Sequence, residues 1–535
     1  MIKKLVKLMI IILFTFFVLT EGANALKTQK AARSFSKSIT AKPGQTVTIE
    51  LKHLDLIITG TKENKVSVKA RIEVESSKEQ HITDFQNKAE LIVEPADDGT
   101  LVRLDYPKAR LRGIGMVSFS RSGKVEISVP ADQSIDLSNS YGDIRISGVS
   151  GKIKIKNKSG KIDVKRCGGS LELRNSYAEV SISDFSGPVD MENSSGAVTL
   201  ENIKGNTEVH NSYRSIDFKN IVGALQVESQ SGNVSGSTVK GDCTIKTSYK
   251  QVKVKDISGK LEIKGPSCSV FVENAQQDAV IENSYRPVEV SLVKGELKIL
   301  GHSSAVRVAD VGKDVYVKTS YKEIKIENVR GKLEIDAGSA QVSAENIAGD
   351  TIIKTSYRDL KAVKIGGSLK IEAQSAQVDV IGVKKDADIF SRYKPIHVTD
   401  VQGNLKVDGQ SCSVLADNIG GDTKITNSYK YVILEKTAGS ISVSGNSSPI
   451  EVSKIKNMPK NGKIELLTTY KSIKLNLPKG AQVAIFAYSA YGDIKSDFPI
   501  YPLKNGEKSG DKIKLQPDGT YIYLKTSKNI YIKEE

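Results

Sequence analysis

A tyrosine recurs every 36 residues through the middle of this chain, and a serine recurs at the same interval halfway between the tyrosines. A column of Val, Ile or Leu repeats every 18 residues from Ile144 to Ile450 without interruption. Such self-similarity is typical of repeat architectures, in which each unit packs against its neighbours. The period therefore predicts one stacked fold over this region, although the length of 535 residues alone would suggest several globular domains.

Apolar residues alternate within each repeat, as in Ile144-Arg145-Ile146 and Ile153-Lys154-Ile155. This period of two predicts strands with one buried face. Two short strands cannot bury that face alone, so each repeat must stack on the next. We therefore predict an all-β fold, namely a single-stranded parallel β-helix (β-solenoid). It should have about 18 rungs of about 18 residues each. We expect a right-handed coil, as in other parallel crossovers. A 36-residue coil of four strands is the alternative, and we favour 18 because the core columns do not distinguish odd rungs from even ones.

The two ends of the chain lack this period. Three lysines precede an apolar run ending at Leu19, and Ala23-Asn24-Ala25 offers small residues for cleavage, which is typical of a signal peptide. We therefore expect an exported protein, periplasmic or extracellular, with no transmembrane segment in the mature chain. The predicted segments are a signal peptide over 1–25, an N-terminal β cap over 26–133, the solenoid repeats over 134–457 and a C-terminal β cap over 458–535.

Glycines mark the bend between the two strands of every second repeat. They are Gly151, Gly187, Gly223, Gly259, Gly295, Gly331, Gly367, Gly403 and Gly439. Glycine adopts positive φ without steric cost. We therefore expect this bend to need a left-handed conformation.

Four cysteines follow the signal segment, namely Cys167, Cys243, Cys268 and Cys412. Cys268 and Cys412 are eight rungs apart, or roughly 38 Å at the spacing of parallel strands. A disulfide needs Cα atoms within about 7 Å. We expect buried thiols that act as small apolar residues.

Three short motifs resemble a known family. They are Tyr141-Gly142-Asp143-Ile144, Ser159-Gly160-Lys161-Ile162 and the segment from Tyr491-Gly492-Asp493-Ile494 to Pro499. This pattern resembles the bacterial putative-adhesin family of β-strand-repeat domains of unknown function. The resemblance implies a β-solenoid and a surface or periplasmic setting, and it brings no catalytic residues. This chain departs from the pattern because Arg or Lys follows most of its tyrosines.

The candidate binding site is a stripe in which a basic residue directly follows each repeated tyrosine. Its members are Tyr213, Arg214, Tyr249, Lys250, Tyr285, Arg286, Tyr321, Lys322, Tyr357, Arg358, Tyr393, Lys394, Tyr429 and Lys430. Aromatic faces pack against sugar rings and cations attract acidic groups, so the stripe could hold an anionic polysaccharide through many weak contacts. The alternative is that each tyrosine covers the edge of the core and each cation only solvates the bend.

The remaining composition favours a protein without catalytic chemistry. The net charge of +16 permits weak attraction to anionic polymers, but the base-stacking motifs of a nucleic-acid binder are not evident. The five histidines share no column and lack metal-ligand spacing, so we predict no metal, no cofactor and no enzyme activity. We expect a display protein for adhesion or envelope scaffolding, whose partners are anionic cell-surface polysaccharide or envelope proteins.

Two other functions remain open. Parallel β-helices can carry carboxylates in a groove, so a polysaccharide-degrading lyase or hydrolase is one alternative. Such an enzyme should show a local break in the regular columns, and the columns here stay regular. A periplasmic scaffold that binds other proteins is the second alternative.

Overall fold

In the computed structural model, each repeat forms one rung of a parallel β-solenoid, with two short strands joined by two bends. The described residues are 28–106, 119–458, 460–502 and 519–535. They fall into two compact units, one ending at Lys204 and the other beginning at Gly205. The predicted signal peptide, 1–25, lies outside the described residues. Within the described ranges, no helix is long and apolar enough to cross a bilayer.

The first unit contains 15 named strands and one helix. They are β1 (Gln29–Thr40), β2 (Thr46–Glu50), β3 (Asp55–Thr61), β4 (Lys65–Ser76), α1 (Glu79–Lys88), β5 (Glu90–Ala96), β6 (Gly99–Asp105), β7 (Phe119–Pro130), β8 (Ser134–Ser138), β9 (Ile144–Ser147), β10 (Ile153–Lys156), β11 (Ile162–Gly168), β12 (Leu171–Asn175), β13 (Val180–Ser186), β14 (Val189–Asn193) and β15 (Val198–Ile203). Odd-numbered and even-numbered rung strands form two separate sheets.

The register of the rungs confirms the 18-residue coil. Ile162 of β11 pairs with Ile144 on one side and with Val180 on the other, so residues 18 apart are direct neighbours. The 36-residue alternative is therefore wrong. The side chains of Ile144, Ile162 and Val180 are almost fully buried, as the alternating pattern requires, because one face of each strand packs into the core.

The start of the chain inserts a coil into the stack out of sequence order. Strand β3 pairs in parallel with β7 on one side and with β9 on the other. Strand β2 lies in the same way between β6 and β8. Residues 46–61 thus form a rung that lies between the strands of residues 99–130 and the regular repeats. The first regular repeat, which contains β8 and β9, is therefore paired on both sides.

The outer part of the first unit is antiparallel. Strand β4 pairs antiparallel with both β1 and β7, and β5 pairs antiparallel with β6. Helix α1 buries Ile82 and Phe85, and the Arg33 guanidinium of β1 donates to the carbonyl of Ala89 just after the helix at 2.7 Å. Because an open solenoid end would expose unpaired strand edges and core, these elements cover it.

The second unit is also built from rungs whose strands form two sheets. Its even-numbered sheet contains β16 (Thr207–Asn211), β18 (Leu225–Ser229), β20 (Cys243–Thr247), β22 (Leu261–Lys264), β24 (Ala279–Asn283), β26 (Leu297–Gly301), β28 (Val315–Lys318), β30 (Leu333–Asp336), β32 (Thr351–Thr355), β34 (Leu369–Ala373), β36 (Ala387–Ser391), β38 (Leu405–Gly409), β40 (Thr423–Asn427), β42 (Ile441–Gly445), β44 (Lys463–Thr468), β46 (Val483–Ser489) and β48 (Ile500–Pro502), together with β49 (Thr520–Thr526). The other sheet contains β17 (Ile216–Ile221), β19 (Val234–Val239), β21 (Tyr249–Ile257), β23 (Ser267–Ala275), β25 (Val288–Val293), β27 (Val306–Val311), β29 (Ile324–Val329), β31 (Val342–Ile347), β33 (Leu360–Ile365), β35 (Val378–Val383), β37 (Ile396–Val401), β39 (Val414–Ile419), β41 (Val432–Thr437), β43 (Ile450–Ser453), β45 (Ile473–Leu477), β47 (Ile494–Ser496) and β50 (Ile530–Glu534).

The end of the chain is also inserted out of order. Strand β49 pairs in parallel with β44 on one side and with β46 on the other. Strand β50 lies in the same way between β45 and β47. The last residues of the chain are therefore held on both sides by parallel pairing.

The left-handed positions differ from those expected. Of the nine predicted glycines, only Gly187, Gly223 and Gly439 have φ between +77° and +155°. The regular left-handed column lies at the preceding bulge, where most residues are Asn, Asp or Lys, and includes Asp184, Asn202, Asn220, Asp256, Asn274, Asp310, Asn328, Asn346, Lys364, Asp400 and Asn418. The glycines are needed for close approach instead, because a Cβ on Gly259 would lie 2.5 Å from the carbonyl oxygen of Gly241 in the preceding rung.

Asp side chains replace part of the backbone pairing at this bend. Within the second unit, the Oδ1 of Asp242 accepts a hydrogen bond from the backbone N–H of Lys260 at 2.8 Å, 18 residues later. The same contact recurs from Asp278 to Glu296 and from Asp314 to Lys332. These carboxylates therefore satisfy backbone donors between rungs and serve the fold.

Candidate functional site

The predicted tyrosines form one exposed column in the second unit. Each lies at the bend between an even-numbered strand and the next odd-numbered strand, as shown by the pairing of Tyr249 with Ser267 in the next rung. Successive tyrosines are two rungs, or about 10 Å, apart. Tyr213, Tyr249, Tyr285, Tyr321, Tyr357, Tyr393 and Tyr429 are 59–65% exposed. Rings exposed to this extent present a large part of their surface to solvent.

The basic residues that follow these tyrosines are exposed and without ion-pair partners. None of Arg214, Lys250, Arg286, Lys322, Arg358, Lys394 and Lys430 makes an ion pair with a described carboxylate. Several lysines on the flat faces of the sheets are paired. Lys246, Lys255 and Lys406, for example, pair with a carboxylate of an adjacent rung at 2.8–2.9 Å. The unpaired positive charge of this bend is therefore available to a ligand.

The column continues beyond the predicted members. Gly445 pairs with Thr468, which places Tyr470 beside Ser447 and makes Tyr470 and Lys471 the next tyrosine and cation. Tyr470 is 60% exposed, and Lys471 is exposed and unpaired among described residues. The segment Thr468-Thr469-Tyr470-Lys471 resembles Thr247-Ser248-Tyr249-Lys250, a signal that a strict 36-residue count misses because five residues are inserted. We call the eight tyrosine and cation pairs from Tyr213 to Lys471 the tyrosine–cation column.

A buried polar side chain supports each bend from beneath. In several rungs the residue two positions before the tyrosine hydrogen-bonds the carbonyl of the preceding bend: Asn427 Nδ2 donates to Cys412 O at 2.7 Å, and Thr355 Oγ1 donates to Ala340 O at 3.1 Å. Ser391 Oγ makes the same contact with Ala376 O at 3.3 Å. These bonds fix the backbone that carries the exposed pair, so the spacing of the tyrosine–cation column is set by the fold.

One tyrosine pair encloses a histidine. The imidazole of His302 lies edge-on between the rings of Tyr285 and Tyr321, with ring centroids 6.3 and 6.5 Å apart. At the position equivalent to His302, the other rungs that lie between two tyrosines of the column carry no aromatic residue. The middle of the column is therefore its most aromatic part, flanked by Arg286 and Lys322.

The four cysteines are buried, as expected. Burial raises the pKa of the Cys243 thiol to about 12 and that of Cys268 to about 11, which keeps both thiols protonated and unreactive. Cys268 and Cys412 lie at this bend in rungs that carry a serine in place of the tyrosine, and they fill the space beneath the column. They lie opposite Gly265 and Gly409, where a side chain would meet them.

The titratable clusters on the sheet faces are small. In the described part of the chain, no group of three His, Cys, Asp or Glu side chains could hold a metal ion. His210 contacts Glu208 at 2.9 Å and Glu228 at 3.3 Å, and His397 contacts Asp379 at 2.9 Å, all on outward sheet faces. These histidines belong to the same cross-rung pairing as the sheet-face lysines.

The chain is similar to a family model and to a solved structure. Residues 45–300 match the family model Toastrack DUF4097, so the resemblance to a β-repeat family of unknown function is confirmed over that range. A solved structure of a putative cell adhesion protein from Clostridium sporogenes ATCC 15579 is similar at 11% identity, with a TM-score of 0.20, over 45% of this chain and 99% of that chain. No curated protein matches the sequence.

Proposed function

We propose that this chain, whose residues 45–300 belong to the Toastrack DUF4097 family, is an exported, non-catalytic repeat protein that holds acidic polysaccharide along its tyrosine–cation column. The basic, apolar and small-residue pattern of 1–25 supports export to the periplasm or the cell surface. Adhesion or envelope scaffolding follows from such binding, because a regular surface can attach one long polymer at many points.

The observation that carries this proposal is an unbroken run of exposed cations at one bend, none of which makes an ion pair with a described carboxylate. Some sheet-face lysines, such as Lys246 and Lys255, have carboxylate partners, and others, such as Lys219, have none. In the column, no cation has a carboxylate partner among the described residues. A bend that needed only solvation would accept neutral polar residues as well. Arg or Lys nevertheless occupies this position in all eight rungs of the column.

Binding strength would come from repetition. One exposed ion pair contributes roughly 0.5 kcal/mol, and one cation held against an aromatic face contributes a similar amount. A single rung would therefore bind sugar acid in the range of weak, rapidly exchanging contacts. Eight rungs at a fixed spacing convert these contacts into one multivalent interaction with a long chain.

The test is retention on immobilised polygalacturonate by the wild type and by a variant with Arg286→Ser, Lys322→Ser and Arg358→Ser. Loss of three contacts of about 0.5–1 kcal/mol each should weaken binding roughly 10- to 100-fold. The matched control replaces Lys219, Lys361 and Lys424 with Ser, which removes the same charge from outward strand positions. The control should lose no more than about twofold.

Two outcomes would contradict the proposal. Unchanged retention of the column variant would remove the tyrosine–cation column from the function. An equal loss in both variants would reduce the binding to net charge. Incubation of soluble polygalacturonate with the wild type should leave its chain length unchanged, and shortening of the polymer would instead favour the degrading enzyme.

A further inference from the structure

A long groove runs along the second bend of the rungs in the second unit. It has a volume of about 1400 Å³ and extends from Asn274 to Gly420. Its floor is formed by buried aliphatic residues such as Val311 and Ile347, and its walls are formed by residues immediately before and after each of these. This bend follows each odd-numbered strand, so it lies at the opposite end of the rung from the tyrosine–cation column.

The dimensions of the groove fit one extended polymer. Asn274 and Asn418 are eight rungs apart, which corresponds to a length of about 38 Å. The volume then provides about 37 Å³ for each ångström of length, enough for a single extended chain. A folded domain or a double helix is too wide to enter a groove with this cross-section.

The floor gives no opportunity for a peptide to add as a strand. The backbone N–H groups of Gly312 and Gly366 already donate to carbonyls of the preceding rung, at 2.7 Å in each case. Strand addition needs a free sheet edge. An extended peptide in this groove would therefore leave its own amides without backbone partners, at a cost of about 1–3 kcal/mol for each buried group in general.

The lining also lacks the platform that single-stranded nucleic acid uses. No described residue that lines the groove is aromatic. Sequence-tolerant binding of bases depends on stacking against aromatic rings. A hydroxyl-rich polymer is different, because its hydroxyls can bond the side chains of the two walls without a backbone ladder.

The walls carry unpaired positive charge. Lys294, Arg330, Lys364 and Lys384 line the groove, are exposed and make no ion pair with a described carboxylate. The carboxylates on the walls, Asp310 and Asp400, accept hydrogen bonds from Asn328 and Asn418 one rung later. Four cations and two carboxylates thus line the groove, and its net charge is positive.

We propose that this groove is a second binding track, which takes one extended chain of an acidic polysaccharide. The ligand class rests on the proposed function, but the site does not share a residue with the tyrosine–cation column. A protein with two tracks at opposite ends of each rung binds two chains and cross-links them. Cross-linking of polymer, in addition to attachment to it, is the functional consequence.

The experiment measures the number of defined-length oligogalacturonate chains bound per protein by calorimetry and native mass spectrometry. The wild type should bind two. Ala348→Trp fills the groove at an exposed position that already carries a Cβ, and should reduce the number to one. A second groove variant with Lys294→Ser, Arg330→Ser and Lys384→Ser should weaken only that site, at least tenfold, and covers the case in which Ala348→Trp fails to fold.

The column and control variants separate the two proposals. The variant with Arg286→Ser, Lys322→Ser and Arg358→Ser should retain the groove chain, and the sheet-face control should bind both. With long polygalacturonate, the wild type should produce turbidity, and weakening of either track should abolish it while leaving binding measurable. One bound chain that only the column variant weakens overturns the groove and leaves the proposed function standing. One bound chain that only the groove variants weaken overturns binding by the tyrosine–cation column and leaves binding by the groove standing.

Absence of any bound chain overturns both proposals. Polyglutamate provides the peptide comparison, because it carries carboxylates on a polypeptide backbone. One contrary result is that polyglutamate binds, that the groove variants lose this binding, and that oligogalacturonate does not bind in the groove. This result would show that the groove takes peptide, and it would overturn the assignment to polysaccharide.

Discussion

The two units place tyrosines at the same bend but surround them with different charge. In the first unit Tyr141 and Tyr177 are followed by Gly142 and Ala178, and acidic residues come next at 143 and 179. In the second unit the eight tyrosines of the column, from Tyr213 to Tyr470, are followed by Arg or Lys, and Tyr491 further along is followed by Gly492. Because both units form the same rung, the fold needs the bend and does not need the cation. The charge of this position is therefore free to serve binding.

The packing beneath the bend differs between the units in a coupled way. In the first unit Asn193 is followed three residues later by Gly196, where a Cβ would lie 1.7 Å from the carbonyl oxygen of Ala178. In the second unit Gly265 is followed three residues later by Cys268, and a Cβ on Gly265 would lie 2.0 Å from Cys268 Sγ. The residues at these two positions thus change together.

Removing the charge from the second unit should produce the largest effect. Replacement of all eight cations, Arg214, Lys250, Arg286, Lys322, Arg358, Lys394, Lys430 and Lys471, by Gln should cost about 4 kcal/mol of binding, at about 0.5 kcal/mol each. This corresponds to about a thousandfold weaker affinity of the column for acidic polysaccharide. Affinity electrophoresis in polygalacturonate at several salt concentrations measures the loss. The comparison is made in a chain that also carries Ala348→Trp, which blocks the groove. A wild-type salt dependence that the eight-cation variant retains there would show that the charge of the column does not bind.

Exchanging the packing pairs tests whether the two bends are interchangeable. Gly265→Asn should destabilise the second unit by about 2 kcal/mol, because the new side chain overlaps Cys268 in a filled site. Adding Cys268→Gly should recover all but about 1 kcal/mol, because the pair then matches Asn193 and Gly196. Urea denaturation of the single and double variants measures this. Simple addition of the two single effects would refute the coupling.

The repeat made most of the fold predictable. Buried columns such as Ile144, Ile162 and Val180 repeat every 18 residues, and side chains at the same position in adjacent rungs contact each other, so the period alone fixed the register. The chain ends could not be placed in this way. Leu56 pairs with Ile144 across 88 residues and Ile473 pairs with Ile530 across 57, and no local period encodes such a distant partner.

The candidate site was only partly predictable. The dipeptides from Tyr213-Arg214 to Tyr429-Lys430 were visible in the sequence. The exposure of their side chains was not, because it depends on the conformation of the bend. The absence of carboxylate partners depends on which side chains adjacent rungs bring together. The groove was missed because its walls repeat chemically mixed residues. The left-handed position was missed because Asn and Asp also tolerate positive φ, so glycine was an incomplete marker.

Removing single tyrosines should separate binding from stability. Tyr357 is 65% exposed, so Tyr357→Ala should weaken binding about threefold, through loss of about 0.7 kcal/mol, with little change in stability. Tyr141 stacks on His53 with ring centroids 4.8 Å apart. Tyr141→Ala should therefore lower the unfolding free energy of the first unit by about 0.5–1 kcal/mol and leave binding unchanged. Tyr177→Ala is the control and should change neither quantity. The reverse result for Tyr357 and Tyr141 would contradict the comparison between the units.

Adding a cation to the first unit should produce the smallest and most direct effect. Gly142 cannot carry one, because it has φ of +119° and a Cβ there would lie 2.3 Å from the carbonyl oxygen of Leu54. Ala178 already carries a Cβ, so Ala178→Arg can place a guanidinium beside the exposed ring of Tyr177. One added contact of about 0.5 kcal/mol should raise affinity for polygalacturonate about twofold, and Ala178→Gln should not. An equal gain from Gln would mean that side-chain length, and not charge, distinguishes the tyrosines of the two units.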